Sequence, residues 1–217
     1  MPERAPDGRP DLLAGQSLPP PPRQERSRLK RAALLAAALD LFAAHGYEAT
    51  SIDEIARQAG VAVGGFYQHF ASKQQVLLVL MDQLLAEAAA LTTLGEGAAS
   101  VAPPRAVIAG LVRQALRVDW AYAGAYRAWR EAASRDAAVR ILYGEIEAWT
   151  AHQLELLLRM FLGTPGGRPA VDVSTLSWVL GTLFWRLAET PLDEPDAVIA
   201  AVTDLIYHAL FIDSDEK

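Results

Sequence analysis

Apolar residues recur along most of this chain at intervals of three and four positions, which is the spacing of one face of an α-helix. A clear example is the stripe formed by Leu34, Leu35, Ala38, Leu41 and Phe42. We therefore predict an all-α fold of about nine helices, in which a small N-terminal three-helix domain precedes a larger C-terminal helical domain. The expected helices cover residues 27–45, 52–59, 63–69, 73–91, 105–118, 119–134, 136–161, 173–190 and 195 onward.

The second and third predicted helices are short and close together. Ser51 and Glu54 have the spacing of a capping box at the start of a helix, and Gly60 suits its left-handed end. The next helix begins only a few residues later, at Val63, so the two must cross steeply. This pattern is a helix-turn-helix, whose second helix is suited to enter the major groove of DNA.

The outward positions of the second helix carry chemistry that fits DNA. Gly64 and Gly65 have no side chain, so the backbone can approach the bases, and Gln68 can pair with adenine. Hydroxyl, imidazole and ammonium groups nearby can meet phosphate oxygens. The residues predicted to contact DNA are Arg28, Thr50, Ser51, Ala62, Val63, Gly64, Gly65, Tyr67, Gln68, His69 and Lys73.

Two runs of sequence carry a family resemblance: AALDLFAAHGYEATSIDEIARQAGV and, after it, FYQHFASK. Together they resemble the DNA-binding domain of TetR-type one-component transcriptional repressors, and the resemblance covers about residues 28–85. It implies a dimer that binds a palindromic operator and responds to a small-molecule effector. Ala62 departs from the family, which usually has a Ser or Thr cap there, and Gln74 replaces a more usual Glu.

Charge is unevenly distributed along the 217 residues, whose net charge is −6. Residues 1–73 carry nine Lys and Arg against eight Asp and Glu, whereas residues 74–217 carry 11 against 18. Five basic residues fall between Arg23 and Arg31, directly before the helix-turn-helix. This basic arm favours a DNA-binding N-terminal part, although a charge run alone is more often a solvated surface.

Composition also suggests domain limits and a compartment. Residues 1–22 are rich in Pro and Gly, so we expect a disordered tail, followed by a DNA-binding domain at 23–72 and an effector-binding and dimerisation domain at 73–217. Helix 4 is expected to act as a lever between the two domains. The chain lacks Cys and an apolar run that we would expect to span a membrane, so a cytoplasmic protein is predicted.

Aromatic residues are concentrated in the second half of the chain, where all five Trp lie. An apolar cavity with a few polar groups is the usual small-molecule site, although aromatic residues at helical spacing are more often plain core. We predict an effector chamber for an apolar or aromatic compound. Its candidate residues are Trp120, Tyr122, Tyr126, Trp129, Arg130, Trp149, Gln153, Trp178 and Trp185.

The last two predicted helices are apolar around a wide arc, which predicts burial on more than one side. We expect them to pair with their copies in a second subunit, and the alternative is that both are internal core. The predicted interface residues are Leu176, Leu180, Gly181, Phe184, Val198, Val202, Leu205 and Ile206.

The sequence contains no nucleophile elbow, HExxH motif or phosphate-binding glycine loop, and its four His form no set with metal-ligand spacing. We therefore predict a DNA-binding transcriptional regulator without catalytic residues, metal or cofactor. The effector is expected to release a repressor from its operator. The alternatives are an activator, a DNA-binding protein without an effector, and an enzyme on a helical scaffold.

Overall fold

The computed structural model describes residues 4–5, 8–20, 23–98, 102–168, 171–190 and 193–211. Within these ranges the chain forms nine α-helices and no sheet, which confirms the predicted all-α fold. The helices are α1 (Glu25–His45), α2 (Ile52–Gln58), α3 (Val63–Tyr67), α4 (Lys73–Ala98), α5 (Pro104–Ala121), α6 (Ala123–Arg135), α7 (Ala137–Leu162), α8 (Val173–Ala188) and α9 (Pro195–Leu210).

These helices form two compact units. Unit 1 comprises Met1–Leu85 and Tyr122–Glu145, and unit 2 comprises Ala86–Ala121 and Ile146–Lys217. The helix-turn-helix therefore shares its unit with α6 and the beginning of α7, whereas the predicted division assigned every residue after 72 to the C-terminal domain.

Unit 1 is held together by α6 lying along α1. The close approach depends on Gly124, because a Cβ at that position would overlap the carbonyl oxygen of Leu39. Trp129 of α6 and Phe42 of α1 are both fully buried. The α6 segment is therefore part of the core that supports the helix-turn-helix.

Unit 2 is built on an apolar core contributed mainly by α5, α8 and α9, with α5 packed against both of the others. Asp172 caps α8 as predicted, since its carboxylate accepts the Thr175 backbone N–H at 3.2 Å, and Pro195 begins α9. The core residues include Val112, Leu116, Leu180, Phe184, Val202 and Ile206.

The fourth helix is longer than the sequence pattern predicts. We expected a loop at 92–104, but α4 continues to Ala98. Gly95 lies inside it and is buried: a Cβ there would stand 2.8 Å from Leu157 and 3.3 Å from Leu111. Packing at this small residue therefore outweighs the weak helix propensity of the segment. The predicted boundary at 118 is also wrong, because α5 continues to Ala121.

One stretch of α4, Lys73–Gly95, has the length and mean hydropathy (1.6) of a membrane-spanning helix, so the expectation that no such run exists is wrong on composition. The core helix of a soluble protein passes the same test, and 44% of this stretch is buried inside the protein. Val76 to Met81 are all buried in unit 1. The apolar character of α4 is thus accounted for, over this part, by packing within the unit.

The described residues 8–20 of the N-terminal segment pack within unit 1, although their composition predicts a disordered tail. The guanidinium of Arg9 forms an ion pair with Asp82 of α4, and the backbone carbonyl of Ser17 accepts a hydrogen bond from Gln75 at 3.3 Å. Between these two contacts Leu12 is only 2% exposed. Gly15, with φ at +71°, ends a single turn in which the Leu13 N–H bonds the Asp11 carboxylate at 3.0 Å. One buried leucine and specific turn residues thus offset the Pro-rich composition.

Candidate DNA-binding site and the predicted residues of the helical body

The helix-turn-helix has the predicted capping box at its first helix. The Ser51 hydroxyl accepts the Glu54 N–H at 3.2 Å, and the Glu54 carboxylate accepts the Ser51 N–H at 2.8 Å. These hydrogen bonds from Ser51 lower the pKa of Glu54. Gly60 adopts the left-handed conformation, with φ at +65°, that turns the chain toward α3.

The third helix is anchored by two buried phenylalanines. Phe66 and Phe70 are fully buried and their ring centroids lie 5.8 Å apart. This anchoring leaves the opposite face of α3 open to solvent. The exposed residues of α3 and its two caps are Ala62, Val63, Gly64, Tyr67 and Gln68. Ala62, as expected from its lack of a hydroxyl, makes no side-chain cap bond.

The two glycines of α3 have different surroundings. A Cβ at Gly64 would meet no atom within 4 Å, so its small size has no explanation inside the subunit. A Cβ at Gly65 would stand 2.6 Å from the Val61 side chain, so this glycine is required for packing within the turn. Of the two, Gly64 is the better candidate for close approach of the backbone to a ligand.

His69 does not occupy the predicted position on the DNA-facing surface. Its side chain is only 6% exposed, and α3 ends at Tyr67 before reaching it. Burial, with smaller contributions from Arg31 and Lys30, lowers the pKa of His69. The imidazole is therefore neutral near pH 7 and belongs to the core, which contradicts a phosphate-binding role.

Thr50 is also buried, in contrast to the prediction. Its hydroxyl donates to the Gly46 carbonyl at 2.7 Å and its side chain is 2% exposed. This bond closes the loop between α1 and α2. Ser51 remains exposed, but its hydroxyl also donates to Glu54 at 2.8 Å.

The ammonium of Lys73 is directed at the same loop. It donates to the carbonyls of Tyr47 at 2.5 Å and Thr50 at 2.9 Å, and it lies 4.2 Å from the Tyr47 ring centroid. Burial lowers the pKa of Lys73, against the opposing effect of Glu48 and Glu131. Within the subunit, Lys73 therefore stabilises the loop instead of presenting its ammonium for the predicted phosphate contact.

The loop has a further support that the sequence analysis missed. Glu131 of α6 accepts the Tyr47 N–H at 2.7 Å and the Glu48 N–H at 3.3 Å. Gly46, with φ at +85°, makes room for the carboxylate, since a Cβ there would stand 2.6 Å from it. Burial also raises the pKa of Tyr47 to about 12, with contributions from Glu48 and Asp136. The His45-Gly46-Tyr47 helix end was visible in the sequence, but its partner 84 residues away was not.

Basic side chains surround the N-terminal half of α1. Arg23, Arg26, Arg28 and Lys30 are exposed, and Arg28 is paired with Glu25 one turn away. Arg31 differs, because its guanidinium lies 4.6 Å from the Phe70 ring centroid, and burial lowers its pKa. These four cations are exposed, so the predicted phosphate contact of Arg28 stays a prediction.

The predicted effector residues fall in both units. Tyr122, Tyr126, Trp129 and Arg130 belong to unit 1, and Trp120, Trp149, Gln153, Trp178 and Trp185 belong to unit 2. The indole N–H groups of Trp129 and Trp149 are each buried without a hydrogen-bond partner. By contrast, Gln153 accepts from the Thr92 hydroxyl at 2.9 Å, and Trp120 donates to the Leu187 carbonyl at 3.2 Å.

Trp178 contradicts the prediction of a chamber residue, because its side chain is 66% exposed. It lines an open groove of about 180 Å³ between α7 and α8, together with Trp185 and Glu147. Burial raises the pKa of Glu147. Trp178 was assigned to the chamber because aromatic residues are concentrated in this half of the chain, but its own position on α8 faces outward.

The predicted dimer residues are for the most part core of a single subunit. Leu180, Phe184, Val202 and Ile206 are buried in the core that α5 shares with α8 and α9, Gly181 is buried near Leu154 of α7, and only Leu205 is exposed, at 51%. Leu176 and Val198 are half-buried. The large apolar residues that α8 and α9 expose are Trp178, Val179 and Leu205. The assigned face therefore needs correction.

Known proteins resemble this chain most specifically in its N-terminal part. A family model described as bacterial regulatory proteins, tetR family, matches residues 34–80. The transcriptional activator FasR of Mycolicibacterium smegmatis is 44% identical over 62 residues, which are 29% of this chain and 26% of FasR. The regulator TcmR of Streptomyces glaucescens is 45% identical over 56 residues, which are 26% of this chain and 25% of TcmR. The chain thus spans about a quarter of the length of these two relatives.

Longer matches extend over the helical body. The regulator EthR of Mycolicibacterium smegmatis is 27% identical over 192 residues, covering 84% of this chain and 86% of EthR. A crystal structure of a gamma-butyrolactone receptor has the same fold, with a TM-score of 0.66 and 21% identity over 86% of this chain and 90% of its own. The ketosteroid regulator KstR2 of Mycobacterium tuberculosis has a TM-score of 0.61 at 21% identity, covering 84% and 95%. Residues 34–80 thus match the tetR family of bacterial regulatory proteins, and the helices of the described residues have the fold of these solved structures.

Proposed function

We propose that this protein is a sequence-specific DNA-binding regulator that presents α3 to the major groove. The observation that carries the proposal is the face of α3, which is rigidly anchored by Phe66 and Phe70 yet leaves Val63, Tyr67 and Gln68 exposed. Regulators of this family are not enzymes. We therefore propose that the exposed face of α3 recognises DNA. We propose that the protein acts in the cytoplasm.

Phosphate contacts are expected from exposed groups at the edge of this surface. Arg28 is 61% exposed and can exchange its exposed pair with Glu25 for a phosphate. The phenol of Tyr67, 54% exposed, can donate to another phosphate oxygen. Ser51 is a third candidate, whose hydroxyl proton would be shared between the Glu54 carboxylate and a phosphate oxygen of the DNA.

These assignments are tested by fluorescence anisotropy on duplexes from the promoter of the gene for this protein. Tyr67→Phe removes only the phenol oxygen and is expected to weaken binding roughly fivefold, because one hydrogen bond contributes about 1 kcal/mol to the binding free energy. Arg28→Ala is expected to reduce the slope of log affinity against log salt concentration by about 0.9. Arg117→Ala, at an exposed position of α5, is the matched control and is expected to leave the slope unchanged. Unchanged binding in both test variants contradicts the proposed surface.

We propose that two subunits bind a palindromic operator, because a symmetric dimer presents two recognition helices to half-sites about 34–36 Å apart or a multiple of this distance. The corrected interface consists of the exposed apolar residues of α8 and α9, namely Trp178, Val179 and Leu205. Large exposed apolar residues are frequent at contact surfaces. A second copy of the chain is the proposed occupant.

We also propose that the protein responds to a small-molecule effector. The unpaired indole N–H group of Trp149, in unit 2, supports it, because buried donors normally have a partner. Two structural relatives are described as a gamma-butyrolactone receptor and a ketosteroid regulator. For this chain we propose an effector with apolar bulk and a hydrogen-bond acceptor. It would act as the inducer of a repressor by binding the DNA-free state more tightly than the DNA-bound state.

The continuous helix α4 supports a route for the response, since residues 73–85 lie in unit 1 and residues 86–98 belong to unit 2. The test is tryptophan fluorescence with a panel of lactones, steroids and aromatic acids, followed by anisotropy with the compound that binds. Trp149→Phe keeps most of the ring volume but removes the N–H donor, so it is expected to weaken that compound roughly fivefold. Binding of a compound without loss of operator affinity would contradict the inducer role.

A further inference from the structure

The recognition surface of α3 lacks the chemistry that is best suited to guanine. From Gly60 to Gln68 every side chain is apolar, absent or uncharged. Guanine is read in the major groove chiefly by Arg or Lys, which donate to its O6 and N7 atoms. The closest cation after α3 in the chain is Lys73, and its ammonium is already bonded to the carbonyls of Tyr47 and Thr50.

The beginning of α3 is apolar and exposed. Val63 is the first residue of the helix and is 38% exposed, and Ala62 before it has no polar group. Single exposed apolar residues are common and carry little meaning by themselves. Here, however, the position is the N-terminal end of the recognition helix, which is the part that contacts base edges in helix-turn-helix proteins.

One apolar group is available to such a residue in the major groove, the C5-methyl of thymine. Gly64 has open space around its Cα, which allows the Val63 end of the helix to approach the bases closely. Gln68, exposed at the other end of α3, offers the amide that pairs with adenine N6 and N7. The Val63 end of the helix thus favours thymine, and the Gln68 end favours adenine.

We propose that α3 reads A·T pairs, with Val63 packed on a thymine methyl group and Gln68 bonded to an adenine. This inference rests on the proposed DNA-binding function and adds the class of sequence that the site takes. The base pairs in contact with α3 are then A·T-rich, and their recognition depends on a methyl group that can be removed chemically without changing the Watson–Crick edge.

The experiment begins with selection of binding duplexes from a randomised library by the full-length protein. The selected duplex is then made with deoxyuridine in place of each thymine in turn, which removes one C5-methyl group. Loss of the contacted methyl is expected to weaken wild-type binding about fourfold, the value of one buried methyl-sized group. In Val63→Ala the same substitution is expected to change affinity by less than about twofold, because the contact is already lost.

Two controls accompany this cycle. Ile141→Ala shortens an apolar side chain that is 66% exposed on α7, and it is expected to keep the full response to deoxyuridine. Gln68→Ala is expected to relax selection at an adenine while leaving the methyl response intact.

The outcomes separate this inference from the proposed function. Selection of a specific A·T-rich duplex with a methyl response that depends on Val63 supports both. A specific duplex with G·C pairs at the α3 positions, or equal responses in wild type and Val63→Ala, overturns the A·T inference but leaves DNA binding intact. Failure to enrich any duplex at low salt overturns the DNA-binding proposal and the inference with it.

Discussion

The Glu131 carboxylate of α6 accepts the backbone N–H of Tyr47, 84 residues earlier in the chain, at 2.7 Å. Through this bond, the loop that leads into the helix-turn-helix is fastened to α6. Lys73 holds the same loop from α4, by donating to the Tyr47 and Thr50 carbonyls. The orientation of the helix-turn-helix within unit 1 therefore depends on charged side chains from two other helices, α6 and α4.

Substitution of Glu131 tests the first of these contacts. Glu131→Ala leaves two N–H groups without their acceptor and is expected to lower the free energy of unfolding by about 1–3 kcal/mol. Glu131→Gln keeps one acceptor oxygen and is expected to cost less. The measurement is urea denaturation followed by circular dichroism, with Asp193→Ala at an exposed position as the control. Equal stability of all three variants and the wild type would show that the loop does not depend on this bond.

Lys73→Met distinguishes a structural lysine from a phosphate ligand. The variant keeps the apolar stem but removes the ammonium, so it is expected to destabilise the protein by about 1–3 kcal/mol, because two carbonyls lose a charged donor. If Lys73 does not bind phosphate, the salt dependence of DNA affinity keeps its wild-type slope. A slope reduced by about one, without loss of stability, would restore the role predicted from the sequence.

The neutral, buried His69 predicts loss of stability in mild acid. Its pKa is lowered in the folded protein, so the unfolded chain binds more protons as the pH falls below about 6.5, the ordinary histidine value. The contribution of neutral His69 to the free energy of unfolding is then fully present above that pH. It is lost progressively as the pH falls through the pKa of His69 in the folded protein. His69→Gln is expected to flatten the melting temperature between pH 7 and pH 5.5, whereas His152→Gln, at an exposed position, is not. Parallel curves for wild type and His69→Gln would contradict burial of the imidazole.

The packed N-terminal segment makes a prediction that a disordered tail does not. Leu12→Ala removes a side chain that is 2% exposed and is expected to lower the free energy of unfolding by about 2 kcal/mol, toward the lower end for buried leucine. Hydrogen exchange is expected to accelerate around Gln75, whose amide bonds Ser17 and the Ala71 N–H. Gln16→Ala, on the exposed side of the same segment, is the control. Wild-type exchange in Leu12→Ala would mean that the segment does not pack on α4.

The proposed subunit interface is tested by charge insertion. Trp178→Glu is expected to weaken the dimer at least 30-fold, since a central aromatic residue in an interface is worth about 2 kcal/mol or more. Sedimentation equilibrium measures the dissociation constant directly. Ile141→Glu places the same charge at a 66%-exposed residue of α7 and is expected to leave the dimer intact. If Trp178→Glu has the dissociation constant of the wild type, this face is not the interface.

Local signals in the sequence were sufficient for the turn between α2 and α3 and for most helix positions. The Ser51–Glu54 capping box, the Gly60 turn and the Asp172 cap depend on residues a few positions apart, and all three are present. Periodicity also identified the buried face of α1, whereas on α8 and α9 part of the predicted apolar arc is exposed. Local spacing therefore predicts which face of a helix is apolar.

What spacing cannot predict is the element that covers that face. The stripe of Leu180 and Phe184 was assigned to a second subunit, but α5 of the same subunit covers it. His69 and Lys73 have side chains suited to phosphate, yet burial of one and the loop carbonyls beside the other depend on distant parts of the fold. Leu12 was dismissed with its Pro-rich surroundings because the residues that hold its segment are distant in the chain, as the Arg9–Asp82 pair, 73 residues apart, shows.

The central claim, that the open face of α3 enters the major groove, is tested most directly at Gly64. A Cβ there would meet no atom of the protein within 4 Å and the position is exposed, so Gly64→Leu is expected to fold with wild-type stability while its bulk prevents close approach to the bases. Gly144→Leu, at a helical glycine of α7 with equally open surroundings, is the matched control. Anisotropy titration on the selected duplex is expected to show at least about a 100-fold loss of affinity in Gly64→Leu alone, corresponding to some 2.7 kcal/mol. Operator binding by a folded Gly64→Leu protein at wild-type affinity would contradict the account.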